Sequence, residues 1–177
     1  MESKSLNYEW KEIEGWLDPT AAMWLYNKAC SMDSVLEVGS WKGRSTHPLA
    51  SGCKGTVFCV DHWQGSKEEL DATHNEAKEK DIFVEFQHNI SEFKHVVPIK
   101  LPSLVASKFF AYNSIDMIYI DAGHTYDEVL ADFVSWKPKC KKLFCGHDYD
   151  LANIEKISDE LKIRTRPVGL CSIWESY

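Results

Sequence analysis

The sequence predicts an α/β fold built on a doubly wound, mostly parallel sheet with helices on both faces and a C-terminal antiparallel hairpin. Short apolar segments alternate with helical ones, which is typical of parallel strands joined by helical crossovers. The apolar segments lie at 35–38, 56–60, 96–99, 115–121 and 143–146. Since no repeat or linker interrupts the 177 residues, we expect one Rossmann-like domain over 1–177, with an N-terminal helical segment at 1–32 and the core at 33–177.

The helices are predicted from their start signals and from apolar residues at helical spacing. Asp18 before Pro19 is typical of a helix N-terminus. Further helices are predicted from Ser45 and Thr46 to Gly52, from residue 102 to about 110, at 125–136 and at 151–161. Residues 163–168 and 170–174 predict the closing hairpin around Gly169.

Residues 66–90 are rich in glutamate and lysine and predict one long, mostly exposed helix. Glu76 and Lys80 lie four residues apart, as in helix-stabilising ion pairs. Residues 82–86 alternate in polarity as a strand would, but no turn residue separates them from the charged stretch. The helix is therefore the preferred interpretation.

Composition limits the partners that the chain can have. The formal net charge of −7 argues against general nucleic-acid binding, which needs clustered lysine and arginine. No apolar segment approaches the ~20 residues that span a bilayer, and residues 1–10 show no signal-peptide core. The six cysteines form no C-x-x-C pair, so we expect reduced thiols and a cytoplasmic location.

A glycine turn follows the first predicted strand and is the most informative motif. It reads Glu37-x-Gly39-x-x-x-Gly43-x-Ser45 and leads into a helix, so free backbone N–H groups point above the strand. The spacing fits neither the dinucleotide-binding pattern nor the P-loop. It resembles the first motif of class I S-adenosyl-L-methionine (SAM) methyltransferases, and an acid suits the cationic sulfonium of SAM. The alternative is an ordinary turn with glycines for tight packing.

Acids and histidines follow the other predicted strands, at the edge of the sheet where ligands of open α/β sheets bind. Asp61 lies about twenty residues after the glycine turn, where a carboxylate accepts ribose hydroxyls. His62 and Trp63 could pack on adenine. The alternatives are a turn acid at Asp61 and a rim aromatic at Trp63.

A second group of polar side chains follows the fourth and fifth strands. Asp121, His147 and Asp148 could hold a divalent cation, with Mg²⁺ or Mn²⁺ favoured by the carboxylates. The alternative is a hydrogen-bonded network without a metal. His124 could take a proton from a hydroxyl as a general base, or it could be a capping or solvent-facing histidine.

These motifs together resemble one methyltransferase subfamily over nearly the whole chain. Residues 13–19, 37–46, 60–65, 120–126 and 146–149 are similar to class I methyltransferases related to macrocin-type O-methyltransferases and cephalosporin-hydroxylase-like proteins. The chain departs from the usual pattern in three respects. Cys140-Lys141-Lys142 replaces a Gly-Gly turn, His147 replaces an acid, and the chain is short.

The resemblance implies a role for each matching residue. It implies that Glu37, Gly39 and Ser40 face the methionine part of SAM. We expect Gly43, Ser45, Thr46 and Asp121 to bind the cofactor as well. The resemblance also implies ribose binding by Asp61, a position near adenine for Ser103, Mg²⁺ binding by Asp121, His147 and Asp148, and base catalysis by His124.

We therefore expect a SAM-dependent O-methyltransferase acting on a hydroxyl of a small molecule or sugar, with Asp121, His124 and Asp148 as catalytic residues. Because the chain is short, acceptor recognition could depend on a homo-oligomer or a large partner. Two alternatives stay open. One is a metal-dependent oxygenase or hydroxylase-like enzyme on the same fold, and the other is a non-catalytic SAM-binding module.

Overall fold

The computed structural model describes residue 6 and residues 8–65, 75–149, 154–169 and 171–176. One sheet contains the strands β1 (Ser34–Val38), β2 (Thr56–Asp61), β3 (Val96–Lys100), β4 (Ile115–Ile120), β5 (Cys140–Gly146), β6 (Thr165–Pro167) and β7 (Trp174–Ser176). Their spatial order is β3-β2-β1-β4-β5-β7-β6. The first five strands are parallel, and β7 is antiparallel to both β5 and β6. The predicted Rossmann-like architecture and its C-terminal antiparallel hairpin are thus confirmed.

Six α-helices accompany the sheet in the described residues. They are α1 (Pro19–Ala29), α2 (Thr46–Gly52), α3 (Ile82–Asn89), α4 (Ser103–Ala106), α5 (Tyr126–Trp136) and α6 (Ile154–Leu161). Local side chains fix where helices begin: Asp18 Oδ1 accepts from the N–H groups of Thr20 and Ala21 at the start of α1. Thr125 and Glu128 form a capping box at the start of α5. Short 3₁₀ segments cover Tyr8–Glu12, Ser107–Phe109 and Lys137–Lys139.

Alternate residues of each central strand enter two separate cores, because successive side chains of a strand point to opposite faces. On β1, Val35 joins the core of one face and Leu36 the core of the other. On β4, Met117 and Tyr119 join the first core, whereas Ile118 joins the second. Burial on both faces explains why these strands are continuous apolar segments in the sequence.

The predicted long helix over 66–90 is wrong in the described part of that range. Residues 77–80 form a turn, and Asp81 caps the start of α3 by accepting from the N–H of Phe83. Ile82 and Phe86 are buried, so α3 is not mostly exposed. The preference for a helix over a strand at 82–86 is confirmed. Residues 66–74 lie outside the described residues, as do 151–153 of the predicted sixth helix and residue 170 of the hairpin.

None of the helices in the described ranges is both long enough and apolar enough to cross a membrane.

Candidate active site at the carboxyl ends of the strands

Backbone hydrogen bonds bring three of the predicted loops side by side. The first residue after each of β1, β4 and β5 donates its N–H to a carbonyl at the carboxyl end of the neighbouring strand. The pairs are Gly39 to Val60 (2.9 Å), Asp121 to Val38 (2.8 Å) and His147 to Ile120 (3.0 Å). The glycine turn therefore lies beside the loop that follows β4, and that loop lies beside the one that follows β5, as the rule for open α/β sheets predicts.

The glycine turn requires glycine at both position 39 and position 43 for steric reasons. Gly39 has φ +90°, and an added Cβ would lie 1.9 Å from the carbonyl oxygen of Asp121. Gly43 has φ +94°, and its Cβ would lie 3.0 Å from Ile90 Cγ2. Positive φ is costly for residues with a side chain. The turn is thus held against the β4 loop on one side and against the end of α3 on the other.

Glu37 fixes the start of α2 against β1. Its side chain is fully buried, Ser45 Oγ donates to Oε1 at 2.5 Å, and Thr46 Oγ1 donates to Oε2. Burial raises the pKa of Glu37 to about 7, although these two hydroxyl donors act in the opposite direction. The carboxylate is occupied by the protein itself, so its predicted contact with the methionine part of SAM stays a prediction.

Stability should become less sensitive to pH when Glu37 is replaced by Gln. Because the folded-state pKa is raised from 4.5 to about 7, the stabilising contribution is fully present below pH 4.5 and is lost as pH rises through about 7. For a shift of this size the loss is about 3 kcal/mol. Denaturant unfolding at pH 5 and pH 8 measures it. An equal pH dependence in both proteins would contradict this assignment.

Asp61 joins the loop after β2 to the glycine turn. Oδ2 accepts from the N–H of Trp41 at 2.9 Å, and Oδ1 accepts from the N–H of Trp63 at 2.6 Å. The indole N–H of Trp63 donates to the carbonyl of Trp41 at 2.7 Å. Asp61 therefore organises the edge at which it was predicted to bind ribose, and the ribose contact itself stays a prediction.

Trp63 contributes to the core rather than to an open surface. Its side chain is 3% exposed, and its ring packs against Phe83 and Phe86 with centroids 4.6 and 4.9 Å away. This placement does not favour the predicted contact with adenine. The neighbouring His62 is more exposed, and its Nδ1 accepts from the N–H of Gln64.

Three residues at this edge have positive φ without being glycine: Trp41 (44°), Trp63 (54°) and Asp148 (56°). Left-handed backbone at such residues is strained and is concentrated at functional sites in proteins. The loops that carry them, after β1, β2 and β5, are three of the four that the sequence predicted to bind ligand.

Asp148 lies between two histidines. His124 Nε2 is 2.9 Å from Oδ2, and His147 Nδ1 is 3.0 Å from Oδ1. Burial acts to raise the pKa of Asp148, but hydrogen bonds from both imidazoles outweigh it and hold the pKa well below its usual range. Burial acts to lower the pKa of His147, but Asp148 and Asp121 together raise it. Asp148 is therefore a carboxylate that stabilises positive charge on its neighbours.

Asp121 completes the acidic part of the site. Its pKa is raised to about 6, chiefly by burial and further by the charge of Asp148, while His147 and His124 act to lower it. Tyr119 Oη donates to Oδ2 of Asp121 at 3.1 Å. A buried carboxyl group whose pKa is raised by a neighbouring carboxylate provides a site that a cation would stabilise.

The predicted metal ligands Asp121, His147 and Asp148 lie close together, and His124 joins them. The donor atoms that lie within 4.8 Å of one another belong to Asp121, His124 and Asp148. His147 directs Nδ1 at Asp148 and lies 3.9 Å from Asp121 Oδ1. Since His147 Nδ1 lies near both carboxylates, its predicted part in metal binding stays a prediction.

Ser103 lies at the start of α4 and bonds to α5. Ser103 Oγ donates to Asp132, and the indole N–H of Trp136 donates to Ser103 Oγ at 2.8 Å. Burial raises the pKa of Asp132 to about 6, against the hydrogen bond from Ser103. Within the described residues Ser103 is thus a link between two helices, and its position near adenine stays a prediction.

Sequence reasoning missed three residues that shape the site. Tyr119 lies two residues before Asp121, so the period-two pattern of a strand could have found it. Trp174 donates its indole N–H to the carbonyl of His147 at 2.9 Å, a contact from the C-terminal hairpin with no local signal. Lys42 within the glycine turn is 1% exposed.

The buried Lys42 ammonium joins three segments of the chain. Its Nζ lies 2.6 Å from Glu14, 2.7 Å from Glu76 and 3.4 Å from Glu85. Burial acts to lower the pKa of Lys42, but hydrogen bonds to Glu14 and Glu76 outweigh it, so the pKa is raised above its usual value. The turn is therefore tied to the N-terminal segment and to α3.

A mostly parallel sheet of this order, with a glycine turn after β1 and acids at the ends of β2, β4 and β5, is typical of the class I SAM-dependent methyltransferases. The sequence places the chain there as well. Residues 36–149 match a family described as a methyltransferase domain, and the chain belongs to that family. A search of curated proteins returned no match.

Solved structures with the same fold are distant in sequence. A Corynebacterium glutamicum protein has a TM-score of 0.68 and 10% identity, covering 99% of this chain and 90% of its own. A Podospora anserina methyltransferase solved with bound S-adenosylhomocysteine (SAH) has a TM-score of 0.66 and 11% identity, covering 91% of this chain and 78% of its own. A Bacillus cereus O-methyltransferase in complex with SAH has a TM-score of 0.64 and 16% identity, covering 98% of this chain and 91% of its own. Family membership favours a methyltransferase over the oxygenase alternative.

Proposed function

We propose that the protein transfers the methyl group of SAM to a hydroxyl oxygen of a small molecule or sugar, with assistance from a divalent cation. The observation that carries this proposal is the group formed by Asp121, His124 and Asp148 beside the glycine turn. A general base and two carboxylates there adjoin the expected cofactor site. The Bacillus cereus neighbour is an O-methyltransferase by its description, which supports the choice of oxygen.

The residues of the glycine turn fit SAM. When bound, SAM supplies an electrophilic methyl group on a sulfonium. Ser40 Oγ is buried without a hydrogen-bond partner within the described residues, as expected of a donor reserved for a ligand. Gly39 keeps the backbone close to the sheet edge, and Asp61 fixes the N–H of Trp41 at the rim. These groups would bind and orient the cofactor.

The carboxylates of Asp121 and Asp148 fit a divalent cation, because Mg²⁺ is commonly held by one or two carboxylates plus water. When bound, such a cation supplies positive charge that lowers the pKa of a nearby hydroxyl. His124 would then accept the hydroxyl proton, and the Asp148 carboxylate would stabilise the resulting imidazolium. His147 and Tyr119 hold the two carboxylates in place.

Calorimetric titration with SAM and with SAH, each with and without Mg²⁺, tests the cofactor assignment. We expect micromolar binding of both. Asp61→Ala should weaken binding at least about tenfold, because it removes two backbone hydrogen bonds at the turn as well as the ribose contact. Asp33→Ala, on the loop before β1, is the matched control and should bind normally. Folded protein that binds neither ligand would refute the proposal.

The remaining partners are proposals as well. We propose a small-molecule acceptor, a homo-oligomer as the working form, and neither nucleic acid nor membrane as a partner. A reducing compartment such as the cytoplasm is supported by the six cysteines, all of which are free thiols.

A further inference from the structure

A second group of metal-ligating side chains lies away from the strand ends, on α2. It consists of His47, Glu9 from the N-terminal 3₁₀ segment and Glu92 from the loop after α3. We propose that these three residues bind a divalent cation of the zinc type, which clamps the N-terminal segment onto α2. This site is independent of the proposed methyl transfer.

His47 carries the argument because its ring is buried and its Nε2 is left without a hydrogen bond. The side chain is 2% exposed, and Nε2 has no hydrogen-bond partner among the described residues. Nε2 is nevertheless only 3.3 Å from Glu92 Oε1. A buried nitrogen without a hydrogen bond in a folded protein requires an explanation, and a bound ion is one.

The distance between these two atoms fits ligands of one metal ion. Zinc is bound by histidine nitrogen and carboxylate oxygen at about 2.0–2.2 Å, usually in a tetrahedron, so two of its ligands lie about 3.3–3.5 Å apart. A carboxylate oxygen of Glu9 completes the group, in which all three donor atoms lie within 4.8 Å of one another. Glu9 and Glu92 are exposed at the surface, which leaves water to complete the coordination.

The charges of the group also suit a cation. Burial lowers the pKa of His47, whereas the charges of Glu92 and Glu9 act to raise it. A divalent cation bound by the imidazole and the two carboxylates would offset the negative charge that the carboxylates bring to this buried ring.

The surroundings of His47 hold the ring in the orientation that ligation needs. Nδ1 lies 3.4 Å from Ser51 Oγ, which is the type of contact that fixes the tautomer of a ligating histidine. The ring of Phe93 meets the imidazole edge-on with centroids 4.8 Å apart. Both contacts come from the elements that carry His47 and Glu92, so the ligands are prearranged.

A cation bound here would attach the N-terminal segment to the helix that carries His47. The glycine-turn residue Arg44 already binds the N-terminal segment, since its guanidinium donates to the carbonyls of Lys11, Ile13 and Leu17. The proposed cation attaches the same segment to α2, the helix that begins directly after that turn. The site therefore stabilises the support on which the cofactor turn rests.

Zinc titration in competition with a fluorescent chelator tests the proposal. The full chain is used with Asp148→Asn, so that the cluster at the strand ends does not compete. We expect one zinc ion per chain, with affinity reduced at least about tenfold by Glu92→Gln and likewise by Glu9→Gln. Both glutamates are exposed, so these variants should fold. Zinc should also raise the melting temperature in the Asp148→Asn protein and not in its Glu92→Gln derivative.

Glu12→Gln is the matched control, because Glu12 is an exposed glutamate of the same 3₁₀ segment outside the cluster. It should bind zinc as the parent does. NMR signals of the His47 ring should move on adding zinc. If Glu92→Gln and Glu9→Gln bind zinc as tightly as Glu12→Gln, the proposal is overturned. Calorimetry of SAM binding to Glu92→Gln distinguishes loss of the zinc site from failure of the proposed methyl transfer.

Discussion

Replacement of Gly39 by Ala should abolish SAM binding and destabilise the fold by about 3 kcal/mol or more. The added Cβ would lie 1.9 Å from the carbonyl oxygen of Asp121 and 2.8 Å from Ala122 Cα, both of them backbone atoms. The backbone φ of +90° adds strain to this clash. Relief requires the glycine turn to separate from the β4 loop, so the cofactor site and the acidic cluster should be lost together. Denaturant unfolding and SAM calorimetry measure the two effects.

Gly169→Ala is the matched control for this substitution. Gly169 also has positive φ, at +57°, but an added Cβ there would meet no atom within 4 Å. Only the backbone strain remains, which costs about 1 kcal/mol. SAM binding should be unchanged. Equal destabilisation by the two substitutions would show that close packing of the glycine turn against the β4 loop does not matter.

Asp148→Asn should eliminate methyl transfer while leaving SAM bound. The expected loss in kcat is on the order of 10²–10⁴-fold, because the variant removes the charge that stabilises imidazolium on His124 and one carboxylate of the proposed cation site. Asparagine tolerates the φ of +56° at this position better than alanine does, so the fold is preserved. SAH formation with a panel of vicinal diols, Mn²⁺ binding by electron paramagnetic resonance and SAM calorimetry are the three measurements.

Asp127→Asn provides the control, since Asp127 is an exposed acid in the first turn of the adjacent α5. It should retain turnover and Mn²⁺ binding. Asp148→Asn protein that binds Mn²⁺ as the parent does would remove the metal from the proposed function. If its turnover also persisted, the base role of His124 would fail as well.

The strands and most helix starts could be predicted from the sequence because their signals are local. An apolar segment followed by a glycine or an acid marked the ends of β1, β2, β4 and β5. Asp18 before Pro19 marked the start of α1. The position of the site followed from these ends through a general rule of open α/β sheets, without any knowledge of side-chain contacts.

Other features depend on contacts between residues far apart in the chain. The burial of Trp63 results from α3, whose Phe83 and Phe86 cover its ring. The contact of both His124 and His147 with Asp148 joins loops that are more than twenty residues apart in the chain. The break before α3 depends on Asp81 capping a helix inside a stretch that has helical composition throughout. Local sequence patterns therefore predicted where the loops lie, but not which side chains contact one another there.

The backbone hydrogen bonds of the sheet continue into the first residue of these loops, and this affects how the loops can change in sequence and length. Gly39, Asp121 and His147 are each attached to a neighbouring strand by their own backbone N–H. The parts of the loops beyond the predicted site residues can therefore change in length and composition while these first residues stay in register. Under the proposed function, selectivity for new acceptors could be acquired in those distal parts, and the predicted site residues would keep the alignment that the sheet gives them.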